Sequence, residues 1–211
     1  MVTNACGSIY VPDEGPTDAK IMAIGEAPGF FEERNKRPFY EDADAGGILT
    51  TVLGRNGIPR NTVRLSNLCH FRPDNNKFEG ILNSPQLQAG LEELYESIAT
   101  IKPNVICALG NWPLYFLTGK HGKTPGSGIL NWRGSILSTA IQSKPELKVK
   151  VIPALHPAFV ARNRGYYPIL DVDIKRVAED SLFPELNYTE RKYVISQTDL
   201  EHEEYSSHRC L

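Results

Sequence analysis

The 211-residue sequence has no CxxC pair: its four cysteines, Cys6, Cys69, Cys107 and Cys210, are scattered. Such spacing signals neither a zinc site nor a local iron-sulfur motif. Cys107, inside the apolar run NVICALG, reads as core packing, because a free thiol behaves as a small hydrophobe. Long hydrophobic runs are missing too. No stretch approaches the roughly 18 to 20 uninterrupted apolar residues of a membrane span, and MVTNACGSIYVPDEG at the start has no basic segment leading into an apolar one. The expectation is a cytoplasmic protein with no membrane partner. Basic excess is absent as well: 23 Lys and Arg stand against 25 Asp and Glu, a formal charge of -2. A simple DNA-binding domain would be basic. The distribution softens that objection, since residues 185–211 hold six acids and three bases, leaving 20 bases against 19 acids in the first 184 residues. Within that body, bases gather at Arg34, Lys36 and Arg37, at Lys120 and Lys123, and at Arg162 and Arg164. No GKS/T or GxGxxG pattern supports a phosphate-cradling nucleotide enzyme, and there is no internal repeat or low-complexity tract.

What is present is ordinary for a globular chain, with 41% hydrophobic and 23% charged residues. Short β-rich runs alternate with amphipathic ones: KIMAIG at 20–25, a helix near 45–55, TVRLSN at 62–67, a helix near 85–101, NVICALG, a helix from Asn111 to Leu117, KVKVIPAL at 148–155 and a helix near 171–180. Alternation of this kind predicts a doubly wound α/β domain with a parallel sheet, over residues 1–184. Residues 185–211, with Asp199, Glu201, Glu203 and Glu204, read as a polar acidic extension.

In such a fold, ligands bind beyond the carboxyl ends of the strands. The segments there are GEAPG, Asn67 with LCHFRP, GNW, and HPAFVARN. Glu26 follows the first strand between two glycines, and a solvated turn glutamate is the plain alternative. Phe39, in RPF, is an aromatic on a charged loop, either a lid over the core or a stacking surface for a base. Asn67 can offer a donor and an acceptor to a pyrimidine edge, or merely form a turn. His156 points toward the same crevice, where it is either structural or catalytic. A freely rotating Asn67 amide reads uracil and cytosine equally well, so discrimination requires a second hydrogen bond to fix it.

The ordered series PTDAKIMAIGEAPG, RPF, AGGILTTVLGRNGIPR, RLSN with FRP, IKPNVICALG, NWRG and HPAFVARN resembles the uracil-DNA glycosylase superfamily, and within it the iron-sulfur branch, family four. The resemblance spans about residues 11–180. It implies a three-layer α/β/α sandwich with a central four-stranded parallel sheet, DNA as partner, and a monofunctional glycosylase acting as a monomer. By motif position, Glu26 would polarise the attacking water and His156 would donate to the base's O2. Ala27, Phe39 and Asn67 would contact the base, and Glu32 would wall the pocket near its C5 side. Gly29, Arg37, Lys123, Arg133, Arg162, Asn163 and Arg164 would contact DNA, with Arg162 and Asn163 on the loop that enters the duplex.

One departure matters. The branch carries a Cys-Arg-Pro segment and another cysteine on the next helix, whereas this chain has Phe71 before Arg72 and Pro73, and Ala89 and Gly90 where the helix ligand would stand. No cluster, metal or other cofactor is therefore expected, and the loop at 68–90 must be held otherwise. A reshaped entrance, with Phe30 and Phe31 near the rim, opens alternatives to uracil. These include a bulky modified cytosine of phage DNA, removed as antiphage defence, and a DNA-binding member of the fold without catalysis.

Overall fold

The computed structural model describes residues 7–186, so Cys6, Cys210 and nearly all of the expected acidic extension lie outside the described residues. The chain runs β1 (Ile21–Gly25), α1 (Phe30–Asn35), α2 (Asp44–Arg55), β2 (Val63–Asn67), α3 (Pro85–Ile101), β3 (Val105–Leu109), α4 (Asn111–Thr118), α5 (Ile129–Trp132), β4 (Leu137–Ser138), β5 (Lys150–Ala154), α6 (Pro157–Arg162) and α7 (Tyr167–Asp180). The sheet order is β2-β1-β3-β5-β4. Its first four strands are parallel, as expected, and β4 adds a two-residue antiparallel edge against β5. So short a strand carries no readable alternation, which is why the sequence pattern does not announce it.

Alternate strand residues face opposite layers. Ile21, Ala23, Val63, Leu65, Val105, Cys107, Ile152 and Ala154 join the core beneath α2, α6 and α7. Met22, Ile24, Ile106, Ala108 and Val151 join the core beneath α3 and α4. Burial on both faces explains why the strands read as continuous apolar runs. Cys107 is 1% exposed and behaves as the core residue expected of it.

Helix boundaries follow local chemistry. Ser84 caps α3 by accepting the Leu87 N–H at 3.1 Å, Pro85 takes the first position, and Lys102 ends the helix at φ 51°. At the amino end of β5, the fully buried Lys150 donates to the Asp180 carbonyl at 2.7 Å and to the Phe183 carbonyl at 2.6 Å. That cation satisfies the last carbonyl of α7 and one in the turn beyond it, and fixes this helix to the sheet, at the end of the strand away from His156. Among the described residues, no helix is long and apolar enough to cross a membrane.

Candidate active site

The carboxyl ends of the parallel strands open into a cleft of about 740 Å³. Glu26, Ala27, Gly29, Glu32, Phe39, Asn67, His156 and Arg162 all line it. The parallel register explains part of this gathering: Gly25 pairs with Asn67 across β1 and β2. A Cβ on Gly25 would lie 2.5 Å from Asn67 Oδ1 and 2.7 Å from Phe39 Cζ, so the missing side chain lets both approach the first strand. Gly110, at φ 102°, does the same on the other side, where a Cβ would meet Glu26 Oε1 at 3.0 Å and His156 Cβ at 3.4 Å.

Phe39 departs from the simple loop aromatic expected of RPF. It is 2% exposed, belongs to the core beneath α2, and takes φ 49°. Three groups hold this left-handed residue. Glu32 Oε1 accepts its backbone N–H at 2.5 Å, Arg60 donates to the Pro38 carbonyl at 2.9 Å, and Gly46 of α2 presses its backbone against the carbonyls of Phe39 and Tyr40. Glu32 therefore lines the cleft mainly as a brace, since Oε2 is also committed, to the Gly29 N–H at 2.6 Å. The Phe39 and His156 ring centroids stand 6.2 Å apart.

His156 caps α6, accepting the Ala158 N–H on Nδ1 at 3.1 Å. An accepting Nδ1 leaves the proton of the neutral ring on Nε2. Burial, assisted by Arg162, lowers its pKa to about 4. The ring is thus a neutral N–H donor near pH 7. Glu26 is pushed the other way, up to about 7, mainly by burial against the opposing bond from the Trp112 N–H, with Glu79 adding repulsion. It sits poised between acid and base. Asn67 is 2% exposed, and among the described residues no protein group bonds to its carboxamide, which leaves donor and acceptor for a ligand.

Two residues assigned to DNA stand elsewhere. Arg37 is bound to Glu14 at 2.8 Å and to Glu41 at 3.2 Å, and Arg133 is paired bidentately with the buried Asp173 at 2.9 and 2.7 Å. Neither lines the cleft, and each already spends its guanidinium on the fold. Lys123, Asn163 and Arg164 are exposed, as is Arg162 on the cleft wall. Part of the wall comes from residues not named as site candidates: Asn111, the segment Ser127–Asn131, and Pro73, Asn76 and Phe78, which belong to the 68–90 loop expected to reshape the entrance. Asn111 stands in GNW, one of the strand-end motifs, and was legible there. The loop before α3 carries no periodic signal and reaches the cleft because Phe78 packs on Trp112, ring centroids 5.6 Å apart.

The family model described as the uracil DNA glycosylase superfamily matches residues 12–178. The chain belongs to that superfamily. Membership gives the enzyme class, a DNA glycosylase, which hydrolyses N-glycosyl bonds. Among its relatives, the type-4 uracil-DNA glycosylase of Thermotoga maritima is 36% identical over 74% of this chain and 73% of its own. That of Sulfurisphaera tokodaii is 31% identical over 82% and 76%, and that of Archaeoglobus fulgidus 30% over 81% of each.

The iron-sulfur cluster implied by the family resemblance does not fit the residues at its described positions. Phe71 packs edge-on against Tyr10 at 5.5 Å, and Gly90 faces the Leu68 carbonyl so closely that a Cβ would lie 2.5 Å from it. Cys69 is buried, its Sγ 3.5 Å from the Phe71 carbonyl. The segment is held by other bonds. His70 Nδ1 donates to the Val11 carbonyl at 3.0 Å, its ring lies 4.9 Å from that of Tyr10, and Tyr10 O–H donates to Glu93 at 2.9 Å.

Proposed function

We propose that this glycosylase draws a uracil out of DNA into the cleft and hydrolyses its bond to deoxyribose. Leaving of the base puts negative charge on the pyrimidine and positive character on the sugar, so the site must stabilise an anion and deliver water. The observation that carries the reading is the His156 ring, neutral with its proton on Nε2, in the same cleft as Glu26. A neutral donor stabilises the developing O2 charge without first giving up a proton. Glu26, ionised above about pH 7, holds and polarises the water. Phe39 stacks on the base, Asn67 pairs with its edge, and Ala27 packs beside it. Gly29, Lys123, Arg162, Asn163 and Arg164 meet the DNA backbone or the vacated space, offsetting an extrusion cost of a few kcal/mol. The names of the relatives favour uracil.

A second reading, a modified pyrimidine such as a substituted cytosine, draws on the Asn67 carboxamide. With no protein bond to fix its orientation among the described residues, it can turn to read either the uracil or the cytosine edge. The test is release of free base, read by mass spectrometry, from uracil DNA and from modified phage DNA side by side. Uracil release from the first supports the main reading. Intact uracil DNA with modified base released supports the second, and no release from either, with DNA still bound, leaves a binding protein.

A further inference from the structure

Phe30 and Phe31 open α1 between Gly29 and Glu32, both cleft residues, yet they are 49% and 54% exposed. Their rings meet edge-to-face, centroids 5.4 Å apart. The Arg72 guanidinium lies 5.3 Å from the centroid of Phe30, and is itself anchored by Asn76 at 2.8 Å and Glu33 at 3.4 Å. Asn76, bonded to Arg72, and Pro73, next to it in the chain, both line the cleft. The pair thus occupies the rim where the segment after β1 meets the loop before α3. Exposing two phenyl rings costs solvation, and neither is covered by the fold. Arg34 on the same short helix and Lys36 just after its end are exposed, make no ion pair among the described residues and could meet phosphates.

We propose that Phe30 and Phe31 form a stacking platform for an unpaired base flanking the one in the cleft, so that the enzyme grips single-stranded or locally opened DNA. The platform rests on the function proposed above, because its occupant is the strand that enters that cleft. A DNA strand fits better than an apolar partner: the rings are few, continuous with the base-receiving cleft, and bordered by cations. Stacking on an aromatic face is indifferent to base identity, so the platform adds affinity without adding sequence preference.

The test uses the full chain and a single-stranded oligonucleotide carrying an abasic analogue with 2-aminopurine beside it. Wild type is expected to quench the 2-aminopurine fluorescence. The F30A/F31A variant should lose the quenching and bind roughly tenfold or more weakly, the scale of one or two lost base stacks. The F30W/F31W variant should retain both. Circular dichroism matching wild type confirms the fold, as expected for half-exposed positions. Unchanged affinity and quenching in F30A/F31A overturn the platform. Unchanged DNA affinity together with loss of a wild-type dimer in sedimentation also overturns it, assigning the rings to a second copy of the chain. The readout needs no turnover: a protein that releases no uracil yet shows ring-dependent quenching refutes the uracil-release reading and leaves the platform standing.

Discussion

The amide of Ala158 donates to Nδ1 of His156 across 3.1 Å, and this one bond settles where the ring can hold its proton. Since burial lowers the folded pKa to about 4 from 6.5, the imidazole stays neutral through the range in which most enzymes are assayed. His156→Ala is expected to lower the base-release rate by about 100- to 1000-fold, the scale of losing one preorganised donor. The linkage sign also follows. Between pH 6.5 and 4 the unfolded chain binds a proton that the folded ring refuses, so stability is lost as pH falls through that window, up to about 3 kcal/mol. His156→Asn keeps a capping residue but cannot titrate. Urea unfolding at pH 7 and pH 5 checks this: the variant should lose less stability on acidification than wild type, and equal losses would remove His156 from the account.

Glu26 predicts the opposite tilt. Its carboxylate is the form that can hold a water, and with a pKa near 7 the single-turnover rate should fall about tenfold per pH unit below that value and level off above pH 8. Folding raises this pKa from 4.5, so stability is full below pH 4.5 and declines as pH rises toward 7. Glu26→Gln removes the buried charge. It should therefore abolish turnover while raising stability at pH 8 by roughly 1–3 kcal/mol. Base-release kinetics and thermal unfolding of the same variant test both halves. A variant that is inactive but less stable than wild type at pH 8 would contradict the burial argument.

The chemistry of these two residues was easier to read than their support. Asn67 ends β2 while Glu26 and His156 follow β1 and β5, and a parallel sheet must bring such positions to one edge. Long-range braces leave no such trace. Arg133 reads as a DNA contact in the sequence, because its partner Asp173 stands forty residues on in the middle of α7. Glu32 lines the wall as expected, but its role as a brace rests on bonds to backbone N–H groups, invisible in a string of side chains. The loop before α3 opens on the FRP motif but has no period beyond it, so which of its residues reach the cleft depends on contacts such as Phe78 on Trp112.

Gly25 is where the fold serves the site most directly. In Gly25→Ala, the new methyl would sit 2.5 Å from Asn67 Oδ1 and 2.7 Å from the Phe39 ring, so one or both must retreat. Displacement by about 1 Å can cost on the order of 100-fold in rate. The expected outcome is a folded protein whose base release drops by about that factor. Circular dichroism and single-turnover kinetics decide it, and a fully active alanine variant would mean that Asn67 and Phe39 do not set the base's position.

Arg133 separates a structural cation from a DNA-binding one. Its guanidinium makes two bonds to Asp173, which is 1% exposed and whose pKa is raised mainly by that burial, with Arg133 working against the rise. Removing one member of a buried pair leaves an uncompensated charge, so Arg133→Ala should cost about 3–5 kcal/mol. Replacing both, as in Arg133→Met with Asp173→Leu, removes the stranded charge and should recover most of that loss. The Asp173 side is tight, however: Gly134 stands so close that a Cβ there would lie 3.0 Å from Asp173 Oδ1, and some recovery will be spent on repacking. DNA affinity of the folded variants should stay within about twofold of wild type, whereas Arg162→Ala, on the cleft wall, should weaken binding and lower its salt dependence. Urea unfolding and fluorescence anisotropy across a salt series check the two residues together. A drop in DNA affinity in the double variant at Arg133 and Asp173, with stability recovered, would return Arg133 to the DNA-binding face.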